Sequence, residues 1–392
     1  MLKTTSEYLR QLGFTSPGVL INEDQARANI RTMANKARKA GAVFRPHFKT
    51  HQSADVGRWF AEEGVKAITV SSVAMAEYFA AHGWDDITVA FLLNPLEWDR
   101  IDALARDLDG RGGILAITVD SVAAAASVAD HTEIPLAVWI KVDAGYGRTG
   151  VSWQDPKLLQ DIVNLLHGGG RLKGLLTHSG NSYQANSRAD LTMIWNRTVQ
   201  RLHTMAGKLD GELNLDISLG DTPCCWSLPE LPGVQEIRPG NFVFFDMMQY
   251  THGICSDEEL AAAAICPVVG LYPKRNQIVV HGGAVHLSKE SLMGPDGKEI
   301  YGYLGTMTPT STSPIDLHPK PRQRVIKDVP VTSLSQEHGT IEVSHSIYEK
   351  YFNKLAIGDL ILVWPVHSCL TCDLAGGYRT TSGYLLNKKP AK

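Results

Sequence analysis

Residues 44–52 read Phe-Arg-Pro-His-Phe-Lys-Thr-His-Gln, so a single lysine, Lys49, lies within four residues of an arginine and two histidines. A lysine is a good Schiff-base nucleophile only when its ammonium form is destabilised, and neighbouring cations and partial burial both do this. The lysine also follows a short apolar run, as expected for a strand whose carboxyl end faces a catalytic mouth. A basic patch on the surface has the same composition, so this segment alone leaves both interpretations open.

A second chemical pair lies near the end of the chain, where His367 and Cys369 follow the apolar run 360–364. Residues two apart point to the same face of an extended segment, so we expect both side chains to meet one ligand. Imidazole and thiolate together are typical zinc ligands. A buried structural histidine beside a free cysteine is the alternative.

Several glycine-containing turns follow candidate strands, where backbone N–H groups can converge on a phosphate. The turns are 142–150, 177–183, 218–223 and 238–241. Arg148 offers a permanent cation, and His178 with Tyr183 offers polar and aromatic groups for a planar ring. Each turn by itself is also consistent with an ordinary structural turn. Asp221 is not the small residue expected beside a phosphate, so its side chain must point away or the assignment of this turn is wrong.

The elements that must position these residues alternate between strands and helices. Candidate strands lie at 44–49, 67–71, 86–92, 114–120, 136–143, 172–178, 215–219 and 234–238. Most are rich in Val, Ile and Leu at consecutive positions, as in parallel strands buried on both faces. Helix signals separate them, such as the capping pair Asn22 and Gln25 and the helix 73–81 that is followed by Gly83. The pattern favours an α/β fold with a (β/α)8 TIM-type barrel over residues 18–250, and an open doubly wound sheet is the alternative.

The pattern changes after about residue 255, where short β-rich runs are separated by Gly, Pro, Ser and Asn. We expect a mainly antiparallel β domain over residues 251–392, with residues 1–17 packing on it. Residues 307–321, rich in Thr, Ser and Pro, are expected to form a long exposed loop.

The composition limits the class of protein. A chain of 392 residues is expected to hold two domains. The net charge is −3, with both signs mixed along the chain, which argues against a nucleic-acid partner. No secretory signal or membrane-spanning run is present, and six cysteines in a chain of this length do not indicate a disulfide framework. These features predict a soluble, cytoplasmic protein.

The segment RPHFKTH at 45–51 resembles the cofactor-lysine segment of the D-serine dehydratase/D-threonine aldolase group. These are fold-type III pyridoxal-phosphate enzymes with an alanine racemase-like barrel. His367-Ser368-Cys369, followed by Thr371, resembles the zinc motif of D-serine and D-threo-3-hydroxyaspartate dehydratases, whereas D-threonine aldolases carry Asp in place of the Cys. Residues 336–339, Gln-Glu-His-Gly, match a further motif of the group. The resemblance runs from about residue 16 to residue 375.

The resemblance implies a pyridoxal-phosphate- and zinc-dependent lyase for D-3-hydroxy amino acids, with manganese as another possible metal. A D-serine dehydratase or a close D-3-hydroxyaspartate dehydratase is the first interpretation, acting as a homodimer on a small D-amino acid. Lys49 is then the catalytic residue, His338 contacts substrate, and His367 and Cys369 bind the metal. The implied cofactor-binding residues are Lys49, Arg148, Thr177, His178, Tyr183, Gly220, Thr222, Gly240 and Asn241.

Three alternatives stay open. A D-threonine aldolase would cleave the Cα–Cβ bond, and a non-catalytic pyridoxal-phosphate-binding protein would turn nothing over. An amino acid racemase would need a second base, for which Tyr301, Tyr303 and Tyr348 are candidates. The chain also departs from the family pattern at Val366, at His281 and at Asp373, which leaves the exact substrate open.

Overall fold

The computed structural model describes residues 1–166, 171–210, 213–309 and 321–390. Contacts within the chain divide it into two compact units. The barrel unit comprises Arg31–Lys49 and Gly57–Gly240, and the β unit comprises Met1–Ile30, Thr50–Val56 and Asn241–Lys392. No described helix has the length and apolar character needed to cross a bilayer.

The strands are β1 Gly18–Ile21, β2 Val43–Phe44, β3 Ala67–Val70, β4 Asp86–Leu92, β5 Ile114–Val119, β6 Leu136–Asp143, β7 Val151–Ser152, β8 Leu172–Thr177, β9 Asp216–Leu219, β10 Glu236–Ile237, β11 Ala262–Tyr272, β12 Gln277–His281, β13 Leu292–Met293, β14 Glu299–Ile300, β15 Gly302–Thr308, β16 Arg322–Pro330, β17 Ser333–Leu334, β18 His338–Glu342, β19 Leu360–Pro365, β20 Gly377–Thr380 and β21 Leu385–Asn387.

The α-helices are α1 Leu2–Gln11, α2 Glu23–Ala40, α3 Ala54–Glu62, α4 Val73–Ala80, α5 Trp98–Gly110, α6 Val122–Ala129, α7 Pro156–Leu166, α8 Arg188–Ala206, α9 Thr222–Ser227, α10 Met247–Thr251, α11 Ala284–Leu287, α12 His345–Tyr351 and α13 Ser368–Leu374.

Eight parallel strands form the barrel in the order β2-β10-β9-β8-β6-β5-β4-β3, and the short β7 pairs with β6. A parallel bridge between His47 and Thr69 joins the two ends of this order, and Phe48 N donates to Thr69 O at 2.9 Å. The closing bridge confirms the predicted (β/α)8 barrel and excludes the open sheet. Each predicted strand corresponds to an observed one, because strands buried on both faces read as continuous apolar runs.

The predicted helix starts are present. Asn22 Oδ1 accepts from Gln25 N at 3.3 Å at the start of α2, and Ser72 caps α4 by accepting from Met75 N at 3.2 Å. A side-chain acceptor is favourable here because the first N–H groups of a helix have no intrahelical partner.

The β unit contains a mostly antiparallel sheet in the order β16-β15-β19-β11-β1-β20-β21, with β12, β17 and β18 attached beside it. The strand β1 pairs antiparallel with β11 and parallel with β20, so residues 18–21 belong to this sheet. The sequence prediction had started the barrel domain at residue 18. An apolar run shows that a strand is buried, but it does not show which sheet the strand joins.

The N-terminal helix α1 is held against β19 by a buried carboxylate. Asp359 Oδ1 lies 2.8 Å from Lys3 Nζ and 2.9 Å from Arg10 Nη2, while Ser6 Oγ accepts from Leu360 N at 2.9 Å. Residues 2–11 therefore pack within the β unit. Of the predicted 307–321 loop, Met307 and Thr308 belong to β15, and residues 310–320 lie outside the described residues.

Candidate active site

Lys49 follows the first barrel strand, in a turn that is fixed by the residue before it. Phe48 is fully buried among Phe60, Phe79 and Trp84, with ring centroids 4.9–5.0 Å apart. Because this ring is anchored in the barrel unit, the adjacent Lys49 is directed outward and is exposed at the carboxyl end of the strand. Lys49 N donates to His47 Nδ1 at 3.3 Å, so this ring nitrogen is an acceptor.

The predicted cationic neighbours of Lys49 are in large part not cationic. Arg45 is 1% exposed and is paired with two carboxylates, Asp86 Oδ1 and Glu236 Oε2, each at 2.5 Å. Burial, together with the Lys49 and Arg238 cations, holds the pKa of His47 well below its usual range. In the β unit, burial lowers the pKa of His51 to about 3. The prediction that Arg45 and both histidines supply positive charge to Lys49 is therefore wrong.

Other cations replace them at the carboxyl ends of the barrel strands. Lys141 lies within the buried strand β6, and burial, Arg238 and Arg148 lower its pKa to about 8. Arg148 is exposed and lies 5.2 Å from the centre of the Tyr146 ring. Lys141 and Arg238 were not chosen from the sequence. For Lys141, the available signal was a lysine in a strand that is otherwise almost wholly apolar.

Arg238 is buried and held by a polar chain inside the barrel. Its Nε donates to Ser218 Oγ at 2.7 Å, and its Nη2 donates to the carbonyl oxygen of Thr177. Ser218 Oγ in turn donates to Glu236 Oε1 at 2.6 Å. Burial lowers the pKa of Arg238 to about 10 although Glu236 opposes the effect, so the guanidinium stays charged at neutral pH.

His178 is held as a neutral imidazole. Its Nδ1 lies 2.5 Å from the carbonyl oxygen of Gly220, which can only accept, so Nδ1 carries the proton and Nε2 is left as an acceptor. Burial and the Lys49 cation lower its pKa to about 3. The ring lies between Tyr146 and Tyr183, at centroid distances of 6.0 and 6.1 Å. The structure thus places His178 and Tyr183 together, as the sequence suggested.

The position of the Tyr146 ring depends on the glycine at position 180. A Cβ on Gly180 would lie 2.2 Å from the Tyr146 ring, so only glycine lets that ring approach. Thr177, by contrast, uses its hydroxyl to donate to Val142 O at 2.7 Å, which ties β8 to β6. The Thr177 side chain therefore stabilises the pairing of β6 and β8 in the barrel.

The turn predicted to hold a phosphate follows β9 and packs closely against Arg238. A Cβ on Gly220 would meet the backbone of Arg238 at 2.8 Å, so the turn and β10 approach closely. Asp221 caps α9 by accepting from Cys224 N at 2.7 Å, which turns its side chain into the helix. Thr222 is the first residue of that helix and is buried. The side chain of Asp221 thus points away, as the phosphate assignment required.

In the β unit, the strand β19 ends at Pro365, and His367 is the N-cap residue of helix α13. His367 and Cys369 therefore lie in the first turn of a helix and not on one face of an extended segment, which corrects the prediction. Asp246 Oδ2 fixes this turn by accepting from Ser368 N at 3.0 Å. The two side chains still interact, since Cys369 is among the groups that raise the pKa of His367.

The pair fits a divalent metal. His367 Nδ1 is buried, makes no hydrogen bond among the described residues and lies 3.5 Å from Glu290 Oε2. Burial opposes the imidazolium, but Cys369, Asp246 and Glu290 together raise the pKa of His367 to about 10. The negative charge around His367 favours a cation at this position. Imidazole with thiolate is a preferred donor set for zinc.

Asn241 and His338 lie in the β unit as well. The Asn241 amide donates to Asp246 Oδ2 at 2.6 Å and to Ser368 Oγ at 3.2 Å, so this side chain supports the His367–Cys369 turn. Only the backbone of Asn241 is left for the phosphate role predicted from the sequence. His338 begins β18 and is exposed, opposite His281 of β12.

Comparison with known proteins identifies a family model for each of two parts of the chain. The family model "Alanine racemase, N-terminal domain" matches residues 21–247, and "Putative serine dehydratase domain" matches residues 261–381. D-threo-3-hydroxyaspartate dehydratase of Delftia sp. strain HT23 is 31% identical over 370 residues, covering 92% of each chain. D-serine dehydratase of Dictyostelium discoideum is 27% identical over 396 residues, covering 93% of this chain and 92% of the relative.

Solved structures of related enzymes have the same fold as this chain. The Delftia enzyme superposes with a TM-score of 0.81 at 28% identity, covering 96% of this chain and 98% of that chain. D-threonine aldolase from Filomicrobium marinum has a TM-score of 0.74 at 18% identity, covering 95% and 94%, and shares the fold. The chain belongs to the family of D-serine dehydratases and D-threo-3-hydroxyaspartate dehydratases, built on the barrel of alanine racemase.

Proposed function

We propose that this chain is a pyridoxal-phosphate- and divalent-metal-dependent lyase that dehydrates D-3-hydroxy amino acids. D-serine would give pyruvate and ammonia, and D-threo-3-hydroxyaspartate would give oxaloacetate and ammonia. The observation that carries the proposal is the His367–Cys369 pair, with a buried imidazole nitrogen that lacks a hydrogen-bond partner among the described residues. One solved D-threo-3-hydroxyaspartate dehydratase, in which a cysteine is replaced by alanine, is in a metal-free form.

The barrel unit supplies residues that fit pyridoxal phosphate. The N–H groups of Gly220, Thr222 and Gly240 are suited to the phosphate, since the Gly220 turn is too close to Arg238 for any side chain. Lys49 is the exposed amine for the aldehyde carbon, and Tyr183 with His178 offers a surface for the ring.

Proton movements are assigned to this chain's own groups. Lys49 Nζ takes the proton from Cα of the substrate. His178 stays neutral, so its Nε2 accepts a hydrogen bond and does not release a proton near neutral pH. Arg148, Lys141 and Arg238 hold negatively charged oxygens. When bound, pyridoxal phosphate supplies a sink for the charge at Cα, and the metal supplies a Lewis acid for the departing hydroxyl.

In the β unit, His367 and Cys369 would hold the metal, and the exposed His338 would contact substrate. Zinc is the first expectation because thiolate and imidazole are its usual ligands, and manganese is the second. Two protein ligands leave positions for substrate oxygens and water. The carboxylate in place of Cys369 in D-threonine aldolases would favour a harder ion, which is why dehydration is preferred here to retro-aldol cleavage.

The test is a product assay on protein loaded with pyridoxal phosphate and zinc. D-serine, D-threo-3-hydroxyaspartate and D-threonine are supplied separately, and 2-oxo acids, ammonia, glycine and acetaldehyde are measured. Dehydration predicts 2-oxo acid and ammonia in equal amounts. Glycine with acetaldehyde from D-threonine would instead assign an aldolase, and L-serine from D-serine a racemase.

Variants in the metal pair sharpen the test. His367→Ala and Cys369→Ala should lose most zinc and at least about a hundredfold in turnover, if the Lewis acid supplies several kcal/mol. The variant His345→Ala is the matched control, since His345 is an exposed histidine of the same unit whose Nδ1 lies 3.1 Å from Asn276 Oδ1. Full turnover in both alanine variants and after chelation would refute the metal-assisted mechanism.

A racemase would need a second base. Tyr348 is 3% exposed and packs against Phe352 in the core of the β unit, so it is unsuited to this role. Tyr301 donates to Glu299 Oε2 at 3.0 Å, so a carboxylate holds its hydroxyl proton and raises its pKa. Burial raises the pKa of Tyr303 as well, so the pKa shifts do not separate these two tyrosines. Both remain candidates, and the variants Tyr301→Phe and Tyr303→Phe separate the two activities.

We also propose that the protein works as a homodimer, because in the family it belongs to the β domain of the partner subunit covers the open end of the barrel. Light scattering at assay concentration tests this directly. A fully active monomer would contradict the proposal.

A further inference from the structure

Three further metal-ligating side chains converge in the β unit, away from the His367–Cys369 turn in sequence. His281 ends β12, His286 lies in α11, and Glu337 directly precedes β18. One ligand atom from each of the three lies within 4.8 Å of the other two. His281 Nε2 is 3.4 Å from Glu337 Oε2, and the two imidazole rings lie 5.2 Å apart at 89°.

The backbone holds these three segments together without help from the side chains. Gly282 N donates to Glu337 O at 2.9 Å, and Ala284 N donates to Ser335 O at 2.9 Å. A Cβ on Gly283 would lie 2.4 Å from Gln336 O, so this approach is possible only with glycine. The positions of the three side chains are therefore set by the hairpin of β12 and β18 and by the glycine turn between β12 and α11.

A surface ion pair does not account for the whole group. His281 and Glu337 are 43% and 48% exposed, and a pair with that exposure contributes at most about 1 kcal/mol. It also leaves His286 Nδ1 unexplained, because this atom is buried and has no hydrogen-bond partner among the described residues.

We propose that His281, His286 and Glu337 form a second divalent-metal site, with water completing the coordination. Two imidazole nitrogens and one carboxylate oxygen suit zinc, cobalt, nickel or ferrous iron, and they do not suit magnesium or calcium. The site contains no thiolate, which separates it chemically from the His367–Cys369 pair.

An ion here would stabilise the turn that leads into α11. The residue after His286 is Leu287, whose carbonyl oxygen accepts from Thr371 Oγ1 at 3.2 Å, and Thr371 lies on the helix that carries Cys369. The second site would thus support the position of the first. Occupancy should raise the melting temperature of the protein, because a ligand that binds only the folded state stabilises it.

Cobalt titration of metal-stripped protein tests the inference. A thiolate ligand gives cobalt an intense near-ultraviolet charge-transfer band, whereas imidazole and carboxylate ligands give only weak visible bands. The wild type is expected to bind two cobalt ions per chain. Cys369→Ser should bind one ion without the near-ultraviolet band, and His286→Gln should bind one ion with that band intact.

The controls separate folding from binding. Glu337→Gln alters an exposed side chain and should remove the same ion as His286→Gln, and His345→Gln should retain both ions. Zinc should raise the melting temperature of Cys369→Ser but not of the double variant Cys369→Ser/His286→Gln. A single ion per chain in the wild type that is lost in Cys369→Ser and kept in His286→Gln, or two ions in both His286→Gln and Glu337→Gln, would overturn the inference. A single ion without the thiolate band that is lost in His286→Gln would contradict the first site and leave this one standing.

Discussion

Asp221 provides a direct test of the electrostatics at the phosphate turn. The residue is 2% exposed, its Oδ1 caps α9, and its Oδ2 is buried with no hydrogen-bond partner among the described residues. Burial raises its pKa from 3.8 to about 6. At about 1.4 kcal/mol per pH unit, this rise corresponds to at most about 3 kcal/mol of unfolding free energy.

The sign follows from the folded pKa lying above the unfolded one. The contribution of Asp221 to stability is complete below pH 3.8 and is lost as the pH rises through about 6, because the folded state then has to hold a buried carboxylate. Asp221→Asn keeps the cap, since Asn and Asp are equally good N-caps, but cannot ionise. The variant should therefore be more stable than the wild type above pH 6, by up to about 3 kcal/mol, and similar to it near pH 4.

The measurement is urea unfolding of the cofactor-free proteins across this pH range, followed by tryptophan fluorescence. Asp221→Ala is the control that removes both charge and cap, and it should be about 1 kcal/mol less stable than Asp221→Asn at every pH. Parallel pH curves for wild type and Asp221→Asn, or a less stable Asn variant at high pH, would refute the assignment of a buried, strained carboxyl group.

Three further outcomes are expected. Borohydride reduction of the loaded protein should place the pyridoxyl group on Lys49, and a label on another lysine would contradict the assignment. Gly180→Ala should weaken cofactor binding by at least about tenfold, because its Cβ would lie 2.2 Å from the Tyr146 ring, whereas Gly110→Ala, with open space around it, should not. Asp246→Asn should lower metal affinity by about 10–100-fold, measured by zinc titration, since this carboxylate fixes the start of α13; unchanged affinity would assign it a capping role only.

The barrel was predictable in unusual detail because its strands are short, buried on both faces and separated by capped helices. The observed β4 and β6 match the predicted runs 86–92 and 136–143 residue for residue. The strand β1 was not among the predicted strands, and the predicted barrel domain began at its first residue, although β1 pairs within the sheet of the β unit. Its partners β11 and β20 lie more than two hundred residues later in the chain, and nothing in residues 18–21 identifies them.

The electrostatic environment of Lys49 was the part that the sequence could not supply. Arg45 does lie close to Lys49 in the sequence. Its charge is nevertheless compensated by Asp86, 41 residues later, and by Glu236, 191 residues later. Such compensation depends on tertiary contacts, since a charge that is buried must find a partner wherever the fold brings one.

The cations at the barrel strand ends are not the ones expected from the sequence, and this changes how the site responds to pH. His47 and His178 are held neutral by burial and by the cations around them, so neither titrates near physiological pH. The positive charge at the barrel strand ends comes instead from Arg148, Arg238 and Lys141, and the pKa of Lys141 is lowered to about 8. An arginine-based site keeps its charge across the working pH range, while a histidine-based one would lose it above pH 7. Binding of an anionic cofactor should accordingly stay constant from about pH 6 to pH 7.5 and weaken only as Lys141 loses its proton. A loss of affinity centred near pH 6.5 would mean that a histidine carries the charge and that the cation assignment is wrong.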